Sequence, residues 1–258
     1  MTTNTTKIRI GLNGANGRMC RAIAHTVKCN PCFQIAFGVD NKTALENNDY
    51  PVFKSFQDVP TCDVIVDFST PSATAYALDY AIAHKVPILV ATTGHNEAQR
   101  QRIAEAGKSI PVFFASNVSF GTFLLLKLAS VAAAFLDDTY DIEIVETHHR
   151  IKSDAPSGTA LAIASSICAA KEQSCKATYS STCGHTYRRE EHQIGIHSVR
   201  GGTVVGKHEV LFLGDDERIS ITHEAENKSV FVHGALKAAA FLLTQPAGVY
   251  SMDDLLKG

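Results

Sequence analysis

The run Lys7-Ile8-Arg9-Ile10-Gly11-Leu12-Asn13-Gly14-Ala15-Asn16-Gly17-Arg18-Met19 decides the fold. An apolar β pattern over Lys7 to Asn13 passes directly into a glycine turn and then into a helical stretch, Arg18 to Cys29. In that order the glycines permit a tight turn and let a pyrophosphate approach the helix N-terminus closely. The same grammar continues along the chain. Strand patterns over Phe33 to Val39, Cys62 to Phe68, Val86 to Ala91 and Pro111 to Ala115 alternate with helical patterns over Ser72 to His84 and Glu97 to Lys108. That alternation predicts a parallel sheet with helices on both faces. The link from Asp40 to Thr61 is polar and Asn-rich, so an abbreviated crossover is expected there, with a small extra strand near Val52 and Phe53.

After Ser119 the pattern changes. A long apolar helix, Phe120 to Leu136, leads into a strand over Tyr140 to Thr147, a charged motif with its own helix, and a polar segment from Cys175 to Glu191. Strand patterns over Gln193 to Val199, Thr203 to Leu213 and Arg218 to Glu224 follow, separated by Gly201-Gly202 and Gly214-Asp215-Asp216, which predicts antiparallel hairpins. The fold class expected is therefore α/β, a Rossmann-type doubly wound parallel sheet, joined to a second, α+β domain. Residues 1–119 with 238–258 form the dinucleotide-binding domain and residues 120–237 the second one, while the helix Val230 to Thr244 is expected to pack back on the first.

Composition excludes several classes. With 258 residues, 45% hydrophobic, the chain is long enough for two cores. A net charge of −2 without a long basic run argues against nucleic-acid and anionic-membrane partners. No apolar segment approaches the roughly 20 residues of a membrane span, and Met1 to Thr6 lacks a signal peptide's apolar stretch. A soluble, cytoplasmic protein is expected. The 7 cysteines suit reduced thiols, and Cys29-x-x-Cys32 has no second pair at zinc spacing, so no metal is expected.

The chemistry concentrates in Glu146-Thr147-His148-His149-Arg150-Ile151-Lys152-Ser153-Asp154-Ala155-Pro156-Ser157-Gly158-Thr159-Ala160. Imidazoles and cations leave a strand there and meet the start of an apolar helix, so they and its N–H groups should form an anion site for a carboxylate or phosphate, with a proton donor beside it. A single histidine at a strand end is ordinary surface chemistry, whereas a pair followed by Lys152 and Ser157-Gly158-Thr159 is not. His185, His192, His197, His208, His223 and His233 are scattered and receive no catalytic role.

For the cofactor, the turn Gly14 to Met19 faces phosphate, with Arg18 adding a charge. Asp40, at the end of the second strand, can accept hydrogen bonds from both hydroxyls of an adenosine ribose and repels a 2′-phosphate, an effect that Lys42 could offset. NADH is favoured without excluding NADPH. Ala91-Thr92-Thr93-Gly94 and Ala115-Ser116-Asn117-Val118-Ser119 leave the carboxyl ends of strands on the same edge, where the nicotinamide should lie.

The combination Gly14 to Met19, Ala91 to Gly94, Ala115 to Ser119, His148 to Ala160 and His197-Ser198-Val199-Arg200-Gly201-Gly202 resembles the 4-hydroxy-tetrahydrodipicolinate reductase (dihydrodipicolinate reductase) family across essentially the whole chain. The resemblance implies a homotetramer built through the open sheet of the second domain, which binds substrate. It also implies NAD(P)H-dependent reduction of a cyclic dicarboxylate in the diaminopimelate route to lysine. It makes His148 and Lys152 the catalytic pair, without deciding which delivers the proton. His149, Ser157, Gly158 and Thr159 would bind substrate. Gly14, Ala15, Asn16, Gly17, Arg18, Met19, Asp40, Ala91, Thr92, Thr93, Ala115, Ser116, Asn117 and Val118 would hold the cofactor. Three positions depart from the pattern. Cys20 replaces a frequent glycine, no arginine follows Asp40, and Lys237, which would also meet substrate, stands where some members carry arginine. Two other readings share the glycine turn: a redox-sensing regulator without turnover, and a dehydrogenase of an amino-acid semialdehyde. The 148–160 motif argues against both.

Overall fold

The computed structural model describes residues 6–41, 48–171, 176–178 and 189–257. Lys42 and His185 lie outside the described residues, as does most of the polar segment 175–191. The chain divides into two compact units, residues 1–118 with 229–258 and residues 119–228.

In the first unit β1 (Ile8–Asn13) enters α1 (Arg18–Lys28), followed by β2 (Phe33–Val39), β3 (Val52–Phe53), β4 (Val64–Asp67), α2 (Pro71–His84), β5 (Ile88–Val90), α3 (Glu97–Ala106) and β6 (Pro111–Phe114). Boundaries follow local chemistry. Thr70 caps α2 by accepting the Ala73 N–H, with Pro71 at the first helical position. Asn96 and Gln99 form a reciprocal capping box on α3.

The second unit runs through α4 (Phe120–Phe135), β7 (Asp141–His148), α5 (Gly158–Lys171), β8 (Lys176–Thr178), β9 (Gln193–Arg200), β10 (Gly206–Leu213) and β11 (Arg218–Ala225). The chain then returns to the first unit as α6 (Ser229–Leu242), β12 (Gly248–Tyr250) and α7 (Met252–Lys257). A domain boundary at 237/238 would cut α6, which belongs whole to the first unit.

The first sheet has 7 strands in the order β12-β6-β5-β4-β1-β2-β3, and its ladders are parallel. Its central strands are buried along their length, as in Val64, Ile65, Val66, Ile88, Leu89 and Val90, because helices cover both faces. The second sheet has 5 strands in the order β11-β10-β7-β9-β8. There burial alternates: Ile142, Ile144, Ile194, Ile196, Val210 and Phe212 pack with Leu125 and Ala129 of α4 and Ile163 and Ile167 of α5.

One expectation fails. β9 and β10 do not form a hairpin across Gly201-Gly202; β7 lies between them, parallel to β9 and antiparallel to β10. The glycine loop instead crosses the end of β7. Gly201 N–H donates to the His148 carbonyl (3.0 Å), His149 N–H to that of Val204 (2.8 Å), and Arg150 N–H to that of Gly202 (3.3 Å). Those bonds satisfy the backbone of the charged motif, a requirement that outweighs a tight turn. The hairpin of β10 and β11 forms as expected.

Candidate active site

Alternation on a strand sends residues i and i+2 to one face, so Glu146 and His148 continue the buried row that begins with Ile142 and Ile144. Pairing extends this polar end sideways. Glu146 lies opposite His208 of β10 and Ser198 of β9, His208 lies opposite His223 of β11, and His148 lies opposite Arg200. One sheet face is thus apolar at one end and ionisable at the other.

Glu146 is fully buried and its carboxylate is fully engaged. Oε2 accepts from His148 Nδ1 (2.5 Å) and Arg200 Nη1 (2.8 Å), while Oε1 accepts from Arg200 Nη2 (2.6 Å) and the Ser157 N–H (3.1 Å). Burial pushes this carboxyl up, but hydrogen bonds from Arg200, Ser198 and His148 outweigh it and bring it down to about 2. Arg200 also donates to the Asp154 carbonyl (2.8 Å), tying the motif loop to β9.

A carboxylate only accepts, so His148 Nδ1 carries the hydrogen and Nε2 is its titrating nitrogen. Burial lowers the His148 pKa, the Glu146 bond opposes that, and the charges of Lys152 and Arg200 add to the lowering. Near neutral pH the ring is uncharged. Gly206 lies against Nε2: a methyl group at Gly206 would stand 3.1 Å from it.

His208, assigned no role from sequence, belongs to this cluster. Its ring meets His148 edge to face with centroids 5.1 Å apart, and its Nε2 lies 2.9 Å from Ser157 Oγ. Burial, reinforced by His148, brings its pKa down to about 4. Ser157 Oγ also accepts the Ala160 N–H (3.1 Å), capping α5. Ser157 is buried and committed on both its hydroxyl and its N–H, so it holds the helix start in place. Gly158 is exposed at that start and has open space over its Cα. Thr159 follows it in the first turn, half-buried.

Lys152 donates to both oxygens of Asp154 at 2.8 Å, an exposed carboxylate. His149 is partly buried, with no hydrogen-bond partner on its Nδ1 among the described residues. His148, His149, Lys152 and the start of α5 are therefore assembled within the second unit. Lys237 is exposed on α6 of the first unit.

In the first unit a cleft of about 880 Å³ runs along the carboxyl ends of β1, β2 and β4, lined by Gly14, Gly17, Asp40, Lys54, Ser69 and Tyr76 among others. Gly14 has φ +81°, and a Cβ there would come within 2.8 Å of the Phe68 carbonyl oxygen. Only glycine suits this turn. Gly14 and Ala15 give their N–H groups to the Val39 carbonyl, and Gly17 gives its own to Gly14. The helix end open to an anion thus begins at Arg18 and Met19, with the Arg18 side chain exposed. Asp40 Oδ2 accepts the Asn16 N–H at 3.0 Å. These residues fit a dinucleotide.

The expected nicotinamide loops follow β5 and β6 on the same edge but do not line this cleft. Ala91, Thr92 and Val118 are buried, Ala115 and Asn117 half-buried, and Thr93 and Ser116 exposed. Thr92 Oγ1 accepts the Ser69 N–H (2.8 Å) and so fastens the loop after β5 to the loop after β4. Beneath them Asp67 is fully buried, accepting from Asn13 (2.9 Å), Ser69 (2.5 Å) and Thr74 (2.6 Å). Burial pushes its carboxyl up. Among the described residues no group of three or more His, Cys, Asp or Glu side chains could hold a metal ion, and no helix is long and apolar enough to cross a membrane.

Comparison with known proteins bears on both units. Residues 8–118 match the family model described as dihydrodipicolinate reductase, N-terminus, and residues 121–256 that of its C-terminus. A 4-hydroxy-tetrahydrodipicolinate reductase of Caldanaerobacter subterraneus subsp. tengcongensis is 43% identical over 97% of this chain and 98% of its own. One from Zymomonas mobilis is 41% identical over 98% and 99%. The solved dipicolinate-bound dihydrodipicolinate reductase of Paenisporosarcina sp. TG-14 superposes with a TM-score of 0.78 at 25% identity, over 95% of this chain and 98% of that one.

Proposed function

The chain belongs to the dihydrodipicolinate reductase family, and from that premise we propose how its residues carry out the family's reaction. It is an NAD(P)H-dependent oxidoreductase that reduces 4-hydroxy-tetrahydrodipicolinate to tetrahydrodipicolinate in the diaminopimelate route of lysine biosynthesis. The observation that carries the residue assignment is the buried Glu146–His148 contact of 2.5 Å beside Lys152 and the start of α5.

The substrate is a cyclic dicarboxylate. Lys152 exchanges its exposed Asp154 partner for one substrate carboxylate, while His149 and the N–H groups of Gly158 and Thr159 face the substrate at the helix start. Support comes from the relative whose solved structure holds dipicolinate. The incoming negative charge favours the imidazolium form of His148, so Nε2 takes up a proton as substrate binds. Glu146 stabilises that cation and fixes the ring plane. Loss of the 4-hydroxyl as water leaves a conjugated C=C–C=N system in the ring; NAD(P)H, when bound, would supply a hydride to its terminal carbon, and the electron pair would then fall on the carbon next to the C–N unit. His148 Nε2–H donates its proton to that carbon, with the Lys152 charge assisting the transfer.

Gly14 to Met19 and Asp40 hold the pyrophosphate and adenosine ribose, and the loops 91–93 and 115–118 the nicotinamide. NADH is the favoured cofactor, since Asp40 accepts from a ribose diol and repels a 2′-phosphate. The protein acts in the cytoplasm as a homotetramer joined through the face of the second sheet opposite α4 and α5, where Val199 is 47% exposed. The test is an assay with the condensation product of aspartate semialdehyde and pyruvate, following nicotinamide absorbance with each cofactor. Consumption of NADH dependent on that product is expected; its absence with both cofactors would overturn the assignment.

A further inference from the structure

We propose that Lys54 is a second determinant of cofactor choice: its ammonium receives the 2′-phosphate of NADPH in the cleft of the first unit. The proposal rests on the reading that this cleft takes the adenosine ribose. Sequence separation hides the relation, because a polar link lies between Asp40 and Lys54. Register restores it. β2 and β3 are parallel, with Gly38 opposite Val52 and Val39 opposite Phe53. The Gly38 N–H donates to the Pro51 carbonyl (2.9 Å) and the Asp40 N–H to the Phe53 carbonyl (2.9 Å), so the alignment persists to the strand ends. The next residue on each strand is Asp40 and Lys54. Neighbouring strands lie about 4.8 Å apart, so the two backbones leave the sheet edge side by side.

Both residues line the same cleft as Gly14 and Gly17, and Ser55 follows Lys54 along it. The ribose 2′ and 3′ oxygens sit on adjacent carbons. A cation one strand spacing from the carboxylate that receives the diol therefore stands where a 2′-phosphate would project. Asp40 Oδ2 is meanwhile drawn toward the glycine turn by the Asn16 N–H at 3.0 Å, on the side away from β3. Lysine supplies a mobile point charge rather than a planar fork. It can meet a phosphate without blocking a bare hydroxyl, so it offsets part of the repulsion that the acid at the end of β2 exerts on NADPH while leaving NADH the favoured dinucleotide. Lys54 is exposed, so its replacement does not threaten the core.

The test is calorimetric binding of NADH, NADPH, adenosine 5′-monophosphate and adenosine 2′,5′-bisphosphate to wild type, Lys54→Gln and Lys54→Arg. In Lys54→Gln the ratio of NADPH to NADH dissociation constants should rise by about tenfold, with the same change for the bisphosphate against the monophosphate. Raising the salt concentration should erase much of that difference, and Lys54→Arg should restore the wild-type ratio. A ratio within about twofold of wild type in Lys54→Gln overturns the proposal. An Asp40→Asn control locates the failure. If it weakens NADH while Lys54→Gln leaves the ratio alone, the ribose reading stands and only Lys54 is wrong. If neither substitution alters any dissociation constant, the cleft does not hold the adenosine ribose and both ideas fall.

Discussion

Glu146 accepts the Nδ1 hydrogen of His148 at 2.5 Å from two positions back on the same strand face. The dyad needs no loop to assemble it, since strand alternation alone brings the side chains together. Arg200, from the neighbouring strand, neutralises the carboxylate with a bidentate pair. The acid can therefore stay ionised without a solvent shell.

That burial predicts a pH-dependent stability. The Glu146 carboxyl sits at about 2 in the folded chain against 4.5 as its ordinary value. A depressed acid stabilises the fold fully above its unfolded pKa and loses that contribution as pH falls toward the folded one, here between about pH 5 and pH 2. Glu146→Gln leaves the half-buried Arg200 without its counter-charge and should cost about 3 kcal/mol at pH 7. The gap to wild type should narrow by pH 3. Urea unfolding of both proteins at pH 7 and pH 3 measures it, and a gap independent of pH would contradict the assignment of charge to Glu146.

His148→Ala should lower turnover by about 10²–10⁴-fold, the usual worth of general acid catalysis. Its effect on the NADH dissociation constant should be small, because His148 belongs to the second unit and the glycine turn to the first. Steady-state rates and fluorescence titration with NADH separate the two effects. Wild-type turnover in the variant would remove His148 from the chemistry.

Gly206→Ala places a methyl 3.1 Å from His148 Nε2, on a ring already fixed by Glu146. The ring must tilt or its titrating nitrogen become shielded, so turnover should fall by about tenfold or more while the midpoint of thermal unfolding moves by only a few degrees. Full turnover with an unchanged midpoint would mean that Nε2 is reached from another side.

Asp40→Asn should shift preference toward NADPH. Like charges at ~4 Å in a partly solvated cleft cost roughly 1–4 kcal/mol, and the substitution removes that repulsion while weakening the ribose hydrogen bonds. Dissociation constants for both cofactors decide it. No change in either would place Asp40 away from the ribose.

Much of this was legible in the sequence, for identifiable reasons. β2 runs over Phe33–Val39 as its pattern predicts, and the two-residue β3 at Val52–Phe53 falls where the polar link contains its apolar pair. β12 carries no strand signal in the sequence because Gly-Val-Tyr is too short to show a period, and its place beside β6 is a tertiary fact. The same holds for the site. Glu146, His148 and Lys152 stand in a single motif, whereas Arg200 and His208 join them only through the pairing of β9, β7 and β10. His208 shares period two with Val210 and Phe212, a hint that becomes informative once its neighbour across the ladder is known to be Glu146.

The first unit is assembled from both sides of the second. During synthesis, β6 must wait for β12 and its edge stays unpaired while residues 119–228 are made. The buried face of α6, with Val232, Ala235, Leu236 and Ala239, arrives equally late. The second unit can therefore condense on the ribosome first, and the first unit closes only when residues 229–257 emerge. A ribosome stalled before that point carries half a nucleotide fold, with an open parallel edge exposed to other nascent chains.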